Sequence, residues 1–122
     1  MAIDILKEIN DTLYEYADEV VKATNEALKE AAKEAVDELK IAGSFKDKSG
    51  DYRKGWSKKE EAAPLGIRKQ IVYNKKHYRL THLLEYGHAK VNGGRVKAFP
   101  HIAAVEEGLS SKVEKKLKER LE

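Results

Sequence analysis

Four side chains in the second half of the sequence have the chemistry of a metal site: His82, Glu85, His88 and His101. Imidazole nitrogens and carboxylate oxygens are common metal ligands. A zinc-binding helix places two histidines one turn apart, with a glutamate between them, in the pattern H-E-x-x-H. The stretch HLLEYGH lacks this spacing, and His88 follows the glycine at which a helix should end. We therefore expect these histidines to pack, cap or lie in solvent, and we predict no metal and no cofactor.

Residue patterns for catalysis are equally weak. The sequence has no cysteine and no G-x-S-x-G segment that would carry a nucleophile. Its carboxylate pairs, Glu60/Glu61 and Glu106/Glu107, are adjacent in sequence, and helical neighbours point about 100° apart rather than toward a common substrate. The run Gly93–Arg95 is too short for a phosphate-binding loop. The sequence thus predicts no catalytic residue and no enzyme.

Length and composition suit one small domain over residues 1–122. Charged residues make up 37% and hydrophobic residues 41% of the chain, enough for a single modest core. The lack of cysteine excludes disulfides. No apolar run approaches the roughly 18 residues that span a membrane, and the N-terminal stretch lacks the features of a signal peptide. We expect a cytoplasmic product, or one that leaves the cell by a route other than secretion.

The net charge of +3 conceals a strong division along the chain. Residues 1–40 hold 11 acids and 5 bases, a net −6, whereas residues 41–99 hold 14 bases and 5 acids, a net +9. Residues 100–122 hold five of each. Opposite charges of this size attract within one molecule or between neighbours in an assembly. The predicted parts are an acidic helix over 1–42, a basic region of strands, loops and a short helix over 43–99, and a final helix.

The acidic part predicts one long amphipathic helix. Between Asp4 and Lys40 there is no glycine or proline, and apolar residues recur every three or four positions. Asp4 is typical of an N-cap, and Gly43 of a helix stop. Such a helix would measure roughly 55 Å, whereas a domain of this size has a radius of gyration of about 13–14 Å. Part of it must overhang, bend or contact another subunit, and the weak helix formers Thr24 and Asn25 mark the predicted break.

The basic part predicts two antiparallel strands. In DYRKGWSKK, Tyr52 and Trp56 fall on one face of the first strand. The second, GIRKQIVYN, follows a turn at Pro64–Gly66 and alternates in polarity. Two strands alone are marginal, so we expect a third over Arg95–Phe99, or a covering helix. In the second strand one face would carry Ile67, Ile71 and Tyr73, and the other Arg68, Gln70 and Asn74.

Two helices complete the predicted α+β fold of a long N-terminal helix, a small antiparallel sheet, a short helix and a C-terminal helix. The short helix would cover Tyr78–Tyr86, with Gly87 as its C-terminal cap. The last helix would have Pro100 in its first turn. The inward residues of the short helix would be Leu80, Leu83 and Leu84, and those of the last helix Ile102, Val105, Leu109, Val113, Leu117 and Leu121.

Two classes of function remain open on the residues alone. The basic region interleaves lysine and arginine with Tyr52, Trp56, Tyr73 and Tyr78, as single-strand nucleic-acid binders do. Against this alternative, small cores also need aromatic residues at such strand positions, and the acidic helix would repel phosphate. An overlong helix and a divided charge would equally suit subunits that meet head to tail in a ring, although a monomer with a solvated helix has the same features.

A longer motif favours the structural class. Leu80–Glu107 reads LTHLLEYGHAKVNGGRVKAFPHIAAVEE, with a Leu-Glu-x-Gly helix end at Leu84–Gly87, a loop, and a proline-led helix start at Phe99–Ile102. This pattern resembles the tail-component family of long-tailed bacteriophages, which are small neck or tail-completion proteins encoded among the head–tail joining genes. Ser49–Trp56 also resembles the family's first strand, and the N-terminal helix fits in kind.

The resemblance implies an assembly role without catalytic residues. Subunits would form a homo-oligomeric ring about the channel between head and tail, and they would contact other connector and tail proteins. DNA in the channel is a further candidate contact, and no membrane is involved. The protein would be located in the neck or tail of the virion, after assembly in the host cytoplasm.

The candidate interface is the basic loop Ala89–Ala98 with its two ends. Gly87 would let the chain leave the short helix sharply, and two further glycines would let the loop order on assembly. Its basic residues would contact acidic faces of adjoining subunits, including the first helix, or DNA. Its far end would be anchored to the core. The full set is Tyr86, Gly87, Lys90, Gly93, Gly94, Arg95, Lys97, Phe99, Pro100 and His101.

Overall fold

The first helix is long and continuous in the computed structural model, which describes residues 2, 4–43, 45, 47, 50–90 and 92–122. Helix α1 covers Ile5–Ile41, and the Asp4 carboxylate caps it by accepting the Lys7 N–H at 3.0 Å. The predicted break at Thr24 or Asn25 is wrong. The Thr24 hydroxyl donates to the Val20 carbonyl at 2.7 Å inside the helix, and the Asn25 side chain bonds to another element, so neither competes with the helical backbone.

The two ends of α1 differ in burial. Every residue of Ile5–Glu19 is exposed, and we call this segment the free arm. The remainder, Val20–Ile41, is the packed half, which contains all the buried positions of the helix. The predicted overhang therefore exists, and it is the N-terminal end of the helix that protrudes.

Strands β1 (Trp56–Ala62) and β2 (Arg68–Asn74) form the predicted antiparallel pair, here called the first hairpin. The predicted first strand starts too early, because Tyr52 lies on the short helix α2, Asp51–Lys54. Gly55 ends this helix and lies so close to Asn74 that a Cβ atom there would be 2.4 Å from the Asn74 Oδ1. The chain can therefore turn into β1 only through a residue without a side chain.

The two faces of the first hairpin are reversed relative to simple hydrophobic alternation. Val72 packs against the core and Asn74 is 1% exposed, whereas Tyr73 lies on the opposite face and is only half-buried. The reason is the Asn74 amide, which donates to the Tyr52 carbonyl at 2.7 Å and accepts the N–H groups of Lys76 and His77. A buried amide with three hydrogen bonds fixes the register even though it places a polar residue inside.

Arg95–Phe99 does not add a third strand to this sheet. Instead β4 (Arg95–Val96) pairs with β3 (His88–Ala89) as a separate second hairpin. The first hairpin is covered by helices, which is the other arrangement expected from the sequence. It packs on α1, as does the last helix α4, Ile102–Leu121.

The short helix is present as α3, Thr81–Tyr86, after a 3-10 turn over Tyr78–Leu80. Leu84 packs against the core, but Leu80 is 42% exposed, so its predicted inward position is wrong. Pro100 is likewise not in the first turn of the last helix, which starts two residues later because His101 serves as the N-cap. These elements confirm the α+β class.

The core forms where the end of α1 meets α2, β1 and the start of α4. Its buried residues are Ala35, Val36, Leu39, Phe45, Tyr52, Trp56 and Val105. From there α4 runs back along α1, and the acidic side chains of the packed half pair with bases of α4 rather than with the basic middle of the chain. The pairs are Glu38–Lys112, Glu34–Lys116, Glu30–Arg120 and Glu26–Arg120.

Candidate assembly site

The predicted interface loop is folded as the second hairpin. The Lys90 N–H donates to the Gly94 carbonyl at 3.0 Å, and the Gly93 N–H donates to the Lys90 carbonyl at 3.3 Å. The Arg95 guanidinium donates to the carbonyl of Tyr86 at 3.1 Å, which ties the start of β4 to the end of α3. The backbone is therefore supported by its own hydrogen bonds, and most of its side chains project into solvent.

Glycine is required at both bends of this hairpin, for different reasons. Gly87 has a φ of 73°, and a Cβ atom there would be 2.5 Å from the Val96 carbonyl oxygen. Gly93 and Gly94 have φ values of 92° and 79°, and a Cβ atom at either position would have nothing within 4 Å of it. At the tip only the backbone conformation selects glycine, so the space around the tip is open.

The exposed part of the second hairpin is basic. Lys90, Arg95 and Lys97 are all exposed, as are Pro100 and the aromatic ring of Tyr86, which is 72% exposed. Three exposed cations and one exposed aromatic ring make this part of the surface basic. A role of these residues in assembly stays a prediction.

The segment that follows the hairpin, Phe99–His101, packs against the core. The Phe99 N–H donates to the Leu84 carbonyl at 2.6 Å, and its ring packs edge-on against Phe45 with centroids 6.3 Å apart. His101 is 1% exposed. Its side chain is therefore not part of the surface that a partner would contact, and its contacts lie inside the subunit.

Glu85 of α3 connects this end to the last helix. One carboxylate oxygen accepts the N–H groups of His101 and Ile102, each at 2.8 Å, and the other accepts the Ala103 N–H at 3.1 Å. These are the N–H groups that a helix start leaves unpaired, and the negative charge suits the positive end of the helix dipole. Glu85 thus caps α4 from a different helix, across 16 to 18 residues of sequence.

Burial and hydrogen bonding act on this carboxyl in opposite directions. Burial raises its pKa, but the three backbone N–H bonds and the nearby His101 outweigh burial, and the net result is a pKa of Glu85 below its usual value. The charged form is therefore the one that the fold stabilises.

His101 extends the network to α2. Its Nδ1 lies 2.8 Å from the Phe99 carbonyl, and its Nε2 lies 2.7 Å from the Tyr52 hydroxyl. A carbonyl can only accept, so Nδ1 carries a proton, and in the neutral ring Nε2 then accepts from the hydroxyl. Burial, followed by the charge of Glu85, raises the pKa of Tyr52 to about 12, which keeps this hydroxyl a donor.

Comparison of the chain with known protein families gives a match. The model of the family described as "Bacteriophage HK97-gp10, putative tail-component" matches residues 7–87, more than half of the chain. The chain belongs to this tail-component family. No curated protein and no solved structure matches the chain.

The matched region and the motif found in the sequence overlap only in part. Residues 7–87 run from α1 to the end of α3, so they include Leu84–Gly87 but neither the second hairpin nor α4. The N-terminal helix lies within the match, although its resemblance to the tail-component family was one of helix type and not of motif. The family is confirmed, and the loop that carried much of the resemblance lies outside the matched residues.

Sequence reasoning missed the function of Glu85 in this tail-component protein. It treated Glu85 as a neighbour of candidate metal ligands, whereas the described residues contain no group of three or more acidic or histidine side chains that could hold a metal. A signal was present, because the two halves of the motif, Leu84–Gly87 and Phe99–Ile102, are the segments that the Glu85 carboxylate joins.

Two of the aromatic residues considered for nucleic-acid stacking are inside the protein. Tyr52 and Trp56 are each 5% exposed and pack edge-to-face at 5.9 Å, so no base can stack on them. Tyr73 is half-buried and has the Lys59 ammonium 5.4 Å from its ring centroid. Among the described helices none is long and apolar enough to cross a membrane.

Proposed function

We propose that this protein is a structural component of the phage neck or tail that joins or completes the tail at the head–tail interface. It acts by subunit–subunit assembly into a ring, and not as an enzyme. Membership of a tail-component family supports a virion location and contacts with other phage structural proteins. The observation that carries the assembly role is the free arm.

The free arm has the composition of a contact surface. Ile9, Leu13 and Tyr16 continue the apolar stripe of the packed half, yet they are 51%, 59% and 63% exposed. Ile5 and Leu6, at 66% and 68%, extend the same surface. A helix that exposes this many large apolar side chains on one side has the pattern of an element that is buried in an assembly.

The second hairpin offers a contact of a different kind. Its three exposed bases, Lys90, Arg95 and Lys97, face solvent at the end of a rigid connection to the core. In a ring they would contact acidic faces of adjoining proteins, or the DNA in the channel. Apolar and charged contacts together give a ring both affinity and register.

The proposed role predicts a specific particle defect. Phage that lack this gene should make filled heads and tails that stay separate, because the joining or completing component is missing. Electron microscopy of the lysate checks this, and expression of the wild-type gene in trans should restore joined particles. Normal infectious particles from the deletion would contradict the proposal.

Charge reversal at the hairpin tests the second contact. In phage carrying Arg95→Glu, we expect the yield of joined particles to fall, because a repulsive charge replaces an attractive one at the interface. Arg95→Gln removes the same hydrogen bond to Tyr86 without reversing the charge, so it should have the smaller effect. Lys115→Glu on the exposed side of α4 is the matched control for charge. An unchanged yield for Arg95→Glu at physiological salt would exclude the hairpin from the interface.

A further inference from the structure

We infer that the free arm of one copy seats in an apolar furrow of the next copy. The furrow lies between β2 and α4, with α1 as its floor. Two adjoining depressions, of about 480 and 360 Å³, share Ala35, Gln70, Val72 and Leu109. Along α1 the lining extends from Leu28 to Leu39. This inference rests on the proposed assembly role and identifies the two surfaces that meet.

The arm and the furrow match in length and polarity. From Leu28 to Leu39 the helix rises about 17 Å, and the 15 residues of the free arm extend about 22 Å. The furrow is lined largely by aliphatic side chains of α1, β2 and α4. An amphipathic helix binds a groove of this kind through large residues at successive turns. In the free arm these are Ile5, Ile9, Leu13 and Tyr16.

Charge complements this apolar contact. The free arm has five acids and one lysine, and helical spacing puts Glu8, Glu15 and Glu19 along one border of the stripe. Tyr78 and Thr81 line one end of the furrow, and the adjoining segment 75–79, which leads from β2 into the 3-10 turn, carries three exposed bases without an acid. These are Lys75, Lys76 and Arg79, the basic turn.

The occupant of the furrow has to come from another molecule. Helix α1 is continuous, and Leu13 is 22 residues from Ala35 along it, which is about 33 Å. The arm of a chain therefore cannot reach that chain's own furrow. Pairing of two arms with each other would place two acidic surfaces together, which like-charge repulsion disfavours. On a second copy the apolar furrow would bury the stripe, and the basic turn near its Tyr78 end would attract the acids of the arm. Among the described residues of the lining itself the one charged side chain is Glu106, so the attraction has to come from the basic turn.

This geometry makes the contact head-to-tail. Each copy offers one arm and one furrow at separate places, so the contact is heterologous, and repetition gives a closed ring or an open filament. The arm and furrow thus supply a directional contact of the sort that a ring requires.

Self-association of the purified full chain tests the inference. Ile9→Asp/Leu13→Asp places charges in the stripe and should weaken self-association by about tenfold or more in sedimentation experiments. Tyr14→Asp is the matched control, since Tyr14 is 76% exposed and lies off the stripe. These positions are exposed, so the variants should fold, as circular dichroism will check. Equal self-association of wild type and the stripe variant, or a wild type that stays monomeric at its highest soluble concentration, would overturn the inference.

Mixing two defective variants tests direction. The stripe variant keeps a working furrow, and Lys75→Glu/Lys76→Glu/Arg79→Glu keeps a working arm. Mixed, they should form a 1:1 complex and stop there, as native mass spectrometry would show, because only one arm and one furrow remain usable. Failure to form this heterodimer would contradict the arm-in-furrow contact.

Phage assembly separates this inference from the proposed function. If the stripe variant yields normal particles while deletion of the gene leaves heads and tails apart, the arm contact is wrong and the joining role stands. If the stripe variant blocks joining but self-associates normally, the arm binds another tail protein and the second-copy assignment is overturned. Loss of both self-association and joining is the expected result.

Discussion

The free arm and the packed half of α1 continue one apolar stripe with side chains of very different size. The packed half places Ala23, Ala27 and Ala31 on the stripe, and they are 7%, 0% and 2% exposed. The free arm places isoleucine, leucine and tyrosine at the equivalent turns. Small side chains let the first hairpin and α4 approach the helix closely, whereas large exposed ones suit a partner that arrives from outside.

The charges divide at the same place. In the packed half Glu26, Glu30, Glu34 and Glu38 pair with bases of α4. Within the described part of the free arm the ion pair is the local one between Lys7 and Asp11, at 3.1 Å. The four glutamates of the packed half are thus paired inside the subunit, whereas the free arm keeps most of its negative charge for an external contact.

Asn25 lies near the boundary between the two regions. Its amide donates to the Gly66 carbonyl at 3.1 Å and accepts the Arg68 N–H at 2.8 Å, which fixes the turn of the first hairpin to α1. The turn reaches as far as Val21, from which a Cβ atom at Gly66 would be 3.5 Å away, and the hairpin ends there. The extent of the free arm therefore follows from the lengths of the hairpin and of α4, not from a change within α1.

The largest contrast should come from changing side-chain size in each region. Ala27→Leu adds three carbons to a position with no exposed surface, and we expect it to lower the free energy of unfolding by about 1–3 kcal/mol. Leu13→Ala in the free arm removes three carbons that touch solvent, and it should change that free energy by no more than about 0.5 kcal/mol. Urea denaturation at a concentration where the protein is monomeric measures both.

The control for this comparison is assembly. Leu13→Ala should weaken self-association while leaving monomer stability nearly unchanged. An effect on the contact between copies is then distinguished from an effect on folding. Equal losses of monomer stability for the two substitutions would mean that the arm is packed inside the subunit after all.

Removing the cap of α4 should have the next largest effect, because α4 covers the packed half. Glu85→Gln keeps the size of the side chain but removes its charge and one of its two acceptor oxygens. We expect a loss of about 1–2 kcal/mol in the free energy of unfolding. Glu107→Gln, on an exposed position of α4, is the matched control, and an equal effect of the two would contradict the capping role.

The same cap gives a pH dependence. The folded pKa of Glu85 is below the unfolded one, so its contribution is fully present above the usual glutamate pKa of about 4.3 and is lost as pH falls through the folded value. The stability difference between wild type and Glu85→Gln should therefore shrink on acidification below about pH 4.3. A difference that stays constant down to the acid transition would show that the charge does not matter.

Local patterns were sufficient to predict much of the fold. The 3.6-residue spacing and the Asp4 cap identify α1, and the glycines at 43 and 87 mark helix ends that the structure confirms. The alternating strand after Pro64 predicts β2. These signals are short-range, so a single sequence contains them in full.

The errors involve long-range partners. Asn74 takes an inward position because it bonds to Tyr52, 22 residues away, and hydrophobic alternation cannot anticipate such a network. The strand Arg95–Val96 pairs with His88–Ala89 and not with the first hairpin. Strands of two residues are too short to show an alternating pattern, so this pairing could not be predicted. In the candidate site, His101 is buried where the Glu85 carboxylate accepts its N–H, and Phe99 packs partly buried against Phe45. These partners are 16 and 54 residues away in sequence, so the exposed and buried members of the predicted set could not be separated.

The smallest expected effect comes from the ion pairs that cover the packed half. The Lys116 ammonium lies 2.8 Å from the Glu34 carboxylate, and Arg120 holds the pKa of Glu30 below its usual value by hydrogen bonding and charge. Lys116→Gln should therefore lower the melting temperature slightly at low ionic strength. The loss should vanish in about 1 M salt, where the screening length is about 3 Å.

Lys118→Gln is the matched control for the ion pairs between α1 and α4, because Lys118 pairs at 3.0 Å with Glu114 within α4 and not with α1. Its effect on the melting temperature should be smaller than that of Lys116→Gln at low salt, since an exposed pair within one helix stabilises little. If the two substitutions behave alike at every salt concentration, the pairs between α1 and α4 add nothing to the packing of alanines beneath them. The division between the free arm and the packed half would then depend on side-chain size alone.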